Sequence, residues 1–243
     1  MGCLLLVWIS SSNYQLSGST GATDIQLHTG DNLPLTDVLR KDYDDKFTKC
    51  RARPKKRTEV RSVVTNILLH KEQYQKVEAF TSVPWYIVGI IHQMESGGDF
   101  TRHLHNGDSL KQRTVHEPKG RPLLGHPPFT WEQSAVDALH IDGFDVWKDW
   151  SIIGTLYKIE NFNGMGYHAR GVPSPYLWAG STIYKSGKYV ADGRFDPKAV
   201  SDQIGAALLL KELIKSGIIV DRKPGIRDSI HFTGMLSGVE IIK

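Results

Sequence analysis

The chain reads as a mainly α-helical domain of the α+β class, carrying a small irregular β-hairpin region between its helices. Three observations predict this. Apolar residues recur at helical spacing over 36–97, 130–160 and 198–214, whereas 100–122 abandons that period for turn residues and short extended pieces. A chain of 243 residues, 40% of them hydrophobic, is also long enough to bury one sizeable core.

Residues 1–35 read as a leader. Met1-Gly2-Cys3-Leu4-Leu5-Leu6-Val7-Trp8-Ile9 followed by Ser10-Ser11-Ser12 resembles a signal segment without its basic start, and the stretch after it is rich in Ser, Gly, Thr and Asp. Thr36 caps a first helix with Val38, Leu39, Tyr43 and Phe47 on one face. After Pro54 a second helix carries Val60, Val63, Val64, Ile67, Leu68 and Tyr74. Pro84 opens a third, almost wholly apolar helix that Gly97 or Gly98 closes. Asn106-Gly107-Asp108 marks a turn within the hairpin region. Thr130 and Gln133 form a capping box for the next helix, and another spans Ile152 to Glu160. A long loop from Asn161 to Pro197 precedes an apolar helix from Lys198 through Ile214. The main domain is thus placed at 36–220, with 221–243 as a tail of mixed signals.

Charge and cysteine count narrow the functional classes. The formal net charge is +4, and part of the excess lies in Lys49-Cys50-Arg51-Ala52-Arg53-Pro54-Lys55-Lys56-Arg57, read as a solvated face between two helices. No nucleic-acid partner is inferred from it. Two cysteines, Cys3 and Cys50, cannot build a disulfide framework or a four-cysteine zinc site. No run approaches membrane-spanning length, and the expected state is a monomer acting in the cell envelope or outside the cell.

Glu95 stands out because it ends the apolar run from Pro84 to Met94 and is followed at once by Ser96-Gly97-Gly98. In the last helical turn the macrodipole is negative and the neighbours are apolar, so both effects favour the neutral acid. A carboxylic acid protonated near neutral pH is what glycoside cleavage requires for its leaving oxygen. Asp108 supplies a second carboxylate in the turn Leu104-His105-Asn106-Gly107-Asp108, and His105 and Asn106 become candidate ligand contacts beside it.

Sugars bind through hydrogen bonds to hydroxyls and through ring faces laid on aromatic planes. Glu160-Asn161-Phe162-Asn163-Gly164-Met165-Gly166-Tyr167-His168 and Ser174-Pro175-Tyr176-Leu177-Trp178 concentrate both groups, which makes Asn163, Tyr167, Tyr176 and Trp178 the candidate substrate contacts. His92, His103 and His105 with Glu95 offer a rival zinc reading, but no H-E-x-x-H pattern is present. G-x-S-x-G and P-loop patterns are absent too, and no cofactor is expected. A third option is a glycan-binding module without turnover.

The stretch Pro84 to Leu110, the 160–167 segment, and Ser174–Trp178 with Gly187–Gly193 resemble bacterial and phage lysozyme-like peptidoglycan hydrolases, over roughly residues 36–215. In that superfamily, which includes goose-type lysozymes and lytic transglycosylases, a catalytic Glu ends a buried helix and is commonly followed by Ser, as in Glu95-Ser96. Asn163-Gly164 with Gly166-Tyr167 is similar to its glycan-contact loop, although Phe162 stands where tyrosine is more usual. The resemblance implies a two-lobed helical domain that cleaves the β-1,4 link between N-acetylmuramic acid and N-acetylglucosamine in peptidoglycan strands. It gives Glu95 the role of general acid and Asp108 that of assisting group in a muramidase; lytic transglycosylases use the Glu alone.

Overall fold

The structure is a computed structural model that describes residues 33–191 and 193–219. The expected tail at 221–243 and most of the expected leader lie outside the described residues. Leu33, within that leader span, accepts a hydrogen bond at its carbonyl from Tyr157 (2.9 Å).

Eight α-helices and one two-stranded sheet are present among the described residues. Helix α1 runs Asp37–Lys49 with Thr36 as its cap, the Thr36 hydroxyl accepting from the Leu39 N–H. Its Leu39, Tyr43 and Phe47, spaced four apart, face inward, while Val38 is 81% exposed. The second predicted helix is in fact two, α2 (Arg57–Leu69) and α3 (Lys71–Thr81). His70 separates them because its ring donates to the Asn66 carbonyl (2.9 Å), closing α2 as a C-terminal cap.

Helix α4 (Trp85–Ser96) is central, buried on nearly every side and packed by α2, α3 and α8. Gly89 makes this possible. A Cβ there would lie 2.7 Å from Ile67 and 3.0 Å from Tyr74, so only glycine lets α2 and α3 approach so closely. Pro84 occupies the cap rather than the first turn, and Gly97 ends the helix in the left-handed region at φ 66°.

Helix α5 (Trp131–Ile141) carries the predicted capping box on both sides, and α6 (Ile152–Asn163) runs one turn beyond its expected end. The expected long loop is largely ordered. It contains a 3-10 turn at His168–Arg170, the short helix α7 (Pro175–Trp178), and strands β1 (Lys188–Ala191) and β2 (Arg194–Asp196). The strands pair antiparallel with Tyr189 opposite Phe195, and an irregularity lies between Tyr189 and Ala191.

The small sheet is therefore present but not where the hairpin was expected. Over 100–122 there is one isolated bridge, Arg102 to Ser109, and turns held by side chains such as Thr114, whose hydroxyl accepts from Arg121 N–H. The last helix, α8, is Ala206–Lys215, shorter than predicted. Residues before it are held out of the helix: Ser201 N–H donates to the Tyr184 hydroxyl (3.2 Å), and Gly205 N–H donates to Ala179 O (2.9 Å), tying the end of α7 to the start of α8. Among the described residues no helix is long and apolar enough to cross a membrane.

Candidate active site

Glu95 occupies the last turn of α4 and is 9% exposed. Burial pushes its carboxyl up to about 8; a hydrogen bond from Tyr176 works against that shift and the charge of Asp142 adds to it. The Tyr176 hydroxyl donates to Glu95 Oε1 at 2.6 Å. Tyr176 belongs to α7, whose Pro175 suits a first helical position and whose Tyr176, Leu177 and Trp178 are all buried. The acid thus sits between two elements separated by 81 positions in the chain.

Asp142, which caps α5, was not anticipated from the sequence. Burial pushes its carboxyl up to about 7, opposed by Lys158 and Arg121, and its charge acts on both Glu95 and Tyr176. Lys158 of α6 donates to Asp142 O (2.7 Å) and lies 4.8 Å from the ring centre of Phe144. Phe144 meets Phe162 edge-on, and Phe162 meets Tyr176 at 6.4 Å, so one aromatic layer runs from the lysine to the tyrosine on Glu95. A signal existed in Lys158, a lone cation in the otherwise apolar run Leu156-Tyr157-Lys158-Ile159.

The predicted turn does lie against the helix end: a Cβ on Gly107 would stand 3.4 Å from Glu95 O. Its polar side chains, however, are committed to the protein. Asp108 accepts from the backbone N–H groups of Val115 (2.8 Å) and His116 (3.0 Å) and from the His116 ring (2.7 Å). These bonds outweigh burial and keep its carboxyl below the usual range. Asn106 donates to His116 O and Glu117 O and accepts from the Asp108 N–H. His105 is buried, its Nε2 on Asp137 (2.8 Å) and its Nδ1 beside Ser134 (3.3 Å). Ser134 and Asp137, three apart on α5, form the face on which this turn is mounted, and Arg121 adds two bonds to Asp137.

The expected glycan-contact residues divide similarly. Asn163 ends α6, half-buried, and its amide makes no hydrogen bond among the described residues. Tyr167 is 7% exposed; its hydroxyl accepts from Tyr189 N–H and its ring meets Tyr189 and Phe195 edge-on, which seats the small sheet. Trp178 is 1% exposed and presents no ring face to a ligand. Beside it Glu160, also buried, accepts from the Tyr43 hydroxyl (2.6 Å) and from the His168 ring (3.2 Å). Of the candidates, Glu95 and Tyr176 are in direct contact, and Asp142 joins them electrostatically.

Among the described residues no group of three His, Cys, Asp or Glu side chains is placed to hold a metal ion. The histidines of the zinc reading have protein partners. His103 and His105 lie side by side with their rings on Ser134, Asp137 and the Gln112 carbonyl, while His92 is packed among aromatic rings. His92 contacts Tyr74, Phe100 and Trp131, and burial pushes it down to about 4. No family model, curated protein or solved structure matches the chain.

Proposed function

We propose that this protein is a peptidoglycan hydrolase, a muramidase of lysozyme-like two-lobed form that cleaves the β-1,4 bond between N-acetylmuramic acid and N-acetylglucosamine. The observation that carries the reading is the buried Glu95 acid, neutral near pH 7, with a tyrosine hydroxyl on one oxygen. Tyr176 fixes Oε1 and leaves Oε2 to carry the proton to the glycosidic oxygen. The carboxylate formed by that transfer keeps the Tyr176 hydrogen bond, so charge developing on the enzyme is met by a donor already in place. Asp142, when ionised, raises the Glu95 carboxyl further and so favours the acid, and Asp108 holds the 104–117 segment beside the helix end. Asn163, whose amide makes no hydrogen bond among the described residues, is the hydrogen-bonding residue offered to the glycan. The site of action is the cell envelope or the secreted medium.

Glu95→Gln tests this. The variant is expected to fold and to lose turbidity clearing of purified cell walls, and full activity in it would reject the assignment. Mass spectrometry of the muropeptides identifies the reaction: a reducing muramic acid end marks the muramidase, an anhydro end a lytic transglycosylase using the same Glu. Binding to walls with no released ends marks a glycan-binding module.

A further inference from the structure

The basic run at 49–57 takes no part in the Glu95 site, and the fold separates its members. Arg53 donates to the Ser181 and Tyr184 carbonyls, and Lys56 to Glu59 and the Asp202 carbonyl, so both are used internally. Arg51 and Arg57 instead border a cavity of about 490 Å³ formed by the end of α1, the start of α2 and α8. Its interior is apolar, built from Phe47, Ala52, Val60, Leu208 and Ile214. Arg61, Lys211 and Lys215 complete a cationic border in which Glu212 is the one acid.

Three of these cations are occupied. Arg51 donates to the Thr48 and Cys50 carbonyls, Lys211 to the Phe47 and Cys50 carbonyls, and Arg61 lies 3.6 Å from Glu212. Arg57 and Lys215 are exposed and have no carboxylate partner among the described residues. A small anion would satisfy those two charges yet leave the apolar walls wet, and a neutral chain would do the reverse. The guanidinium fork of Arg57 matches a phosphate better than a single carboxylate oxygen.

We propose that this cavity binds an anionic lipid with a phosphate head group, its acyl chain inside and its phosphate on Arg57 and Lys215. The site is separate from Glu95, and its occupancy does not depend on the glycosidase reading.

Titration of the full-length protein with monomeric dodecyl phosphate, followed by calorimetry, tests the proposal. One saturable site is expected, with affinity rising about fourfold for each methylene the cavity buries along an octyl, decyl and dodecyl series. Arg57→Glu with Lys215→Glu should weaken it at least about twenty-five-fold, at about fivefold per cation lost. Both positions are exposed, so circular dichroism should be unchanged. Lys55→Glu is the control, since Lys55 belongs to the same run but does not border the cavity. Vesicles of phosphatidylcholine with phosphatidylglycerol should sediment the protein, and dodecyl phosphate should release it. Equal binding of butyl phosphate or of dodecyltrimethylammonium, equal loss in Lys55→Glu, or no sedimentation with the anionic vesicles would each overturn the assignment.

Discussion

A carboxyl group that prefers its proton links the chemistry of Glu95 to stability. Its folded value lies near 8, so neutral Glu95 contributes stability that is complete below the ordinary carboxylate range and lost as pH rises through about 8. Glu95→Gln removes that loss. The variant should match the wild type near pH 4 and exceed it by as much as about 5 kcal/mol near pH 9, read from denaturant unfolding at the two pH values. The two neighbours should move the alkaline limb of the pH–rate profile in opposite directions. Tyr176→Phe deletes a donor to the charged form and should shift that limb upward; Asp142→Asn deletes a like charge and should shift it downward. Movement in the same direction would mean that Glu95 does not govern the limb. At this scale the sequence is informative where one residue sits in a telling local context. Glu95 does, at the end of an apolar helix, but Asp142 owes its character to burial under other parts of the fold, opposed by Lys158 and Arg121 from elsewhere in the chain.

Elements were legible where their signals are local. Thr36, the Thr130–Gln133 box and the Gly97 stop all act within one turn of chain, and each lies where the pattern places it. Thr130→Ala should cost about 1 kcal/mol, measured by thermal unfolding. The hairpin expectation shows the limit. Asn106-Gly107 has turn chemistry, but Asp108 and Thr114 spend their hydrogen bonds on backbone within that segment, and no ladder forms. The actual strands, Lys188-Tyr189-Val190-Ala191 and Arg194-Phe195-Asp196, flank Asp192-Gly193, a strong hairpin signal that a long-loop reading passed over. The His168–Glu160 pair between the 3-10 turn and α6 yields a second pH test. Hydrogen bonding to Glu160, ahead of the opposing effect of burial, raises the imidazole, so its contribution is complete below about pH 6.5 and lost as pH rises through the folded value. His168→Gln should therefore destabilise the protein more in mild acid than in alkali.

Across the described residues, α4 is the helix buried between α2, α3 and α8, and its amides report global opening. Hydrogen exchange followed by mass spectrometry should show α4 among the slowest segments. The 104–122 segment, held by turn hydrogen bonds and side-chain contacts without a continuous helix or strand ladder, should exchange earlier. Gly89→Ala probes the same arrangement: a methyl 2.7 Å from Ile67 forces α2 away from the axis and should cost about 1–3 kcal/mol. The separation of the two sites also follows from this architecture. The Glu95 end of α4 faces α7, whereas the cationic cavity lies among α1, α2 and α8.

The contact between α4 and α7 has a consequence for biosynthesis. Glu95 leaves the ribosome 81 residues ahead of Tyr176, an interval of about 4–16 s at ordinary translation rates. The seat of α7 is completed later still, when Gly205 arrives to bond Ala179. A nascent chain therefore carries Glu95 without its Tyr176 hydrogen bond throughout that interval, and the α4–α7 contact forms only after both segments have been made.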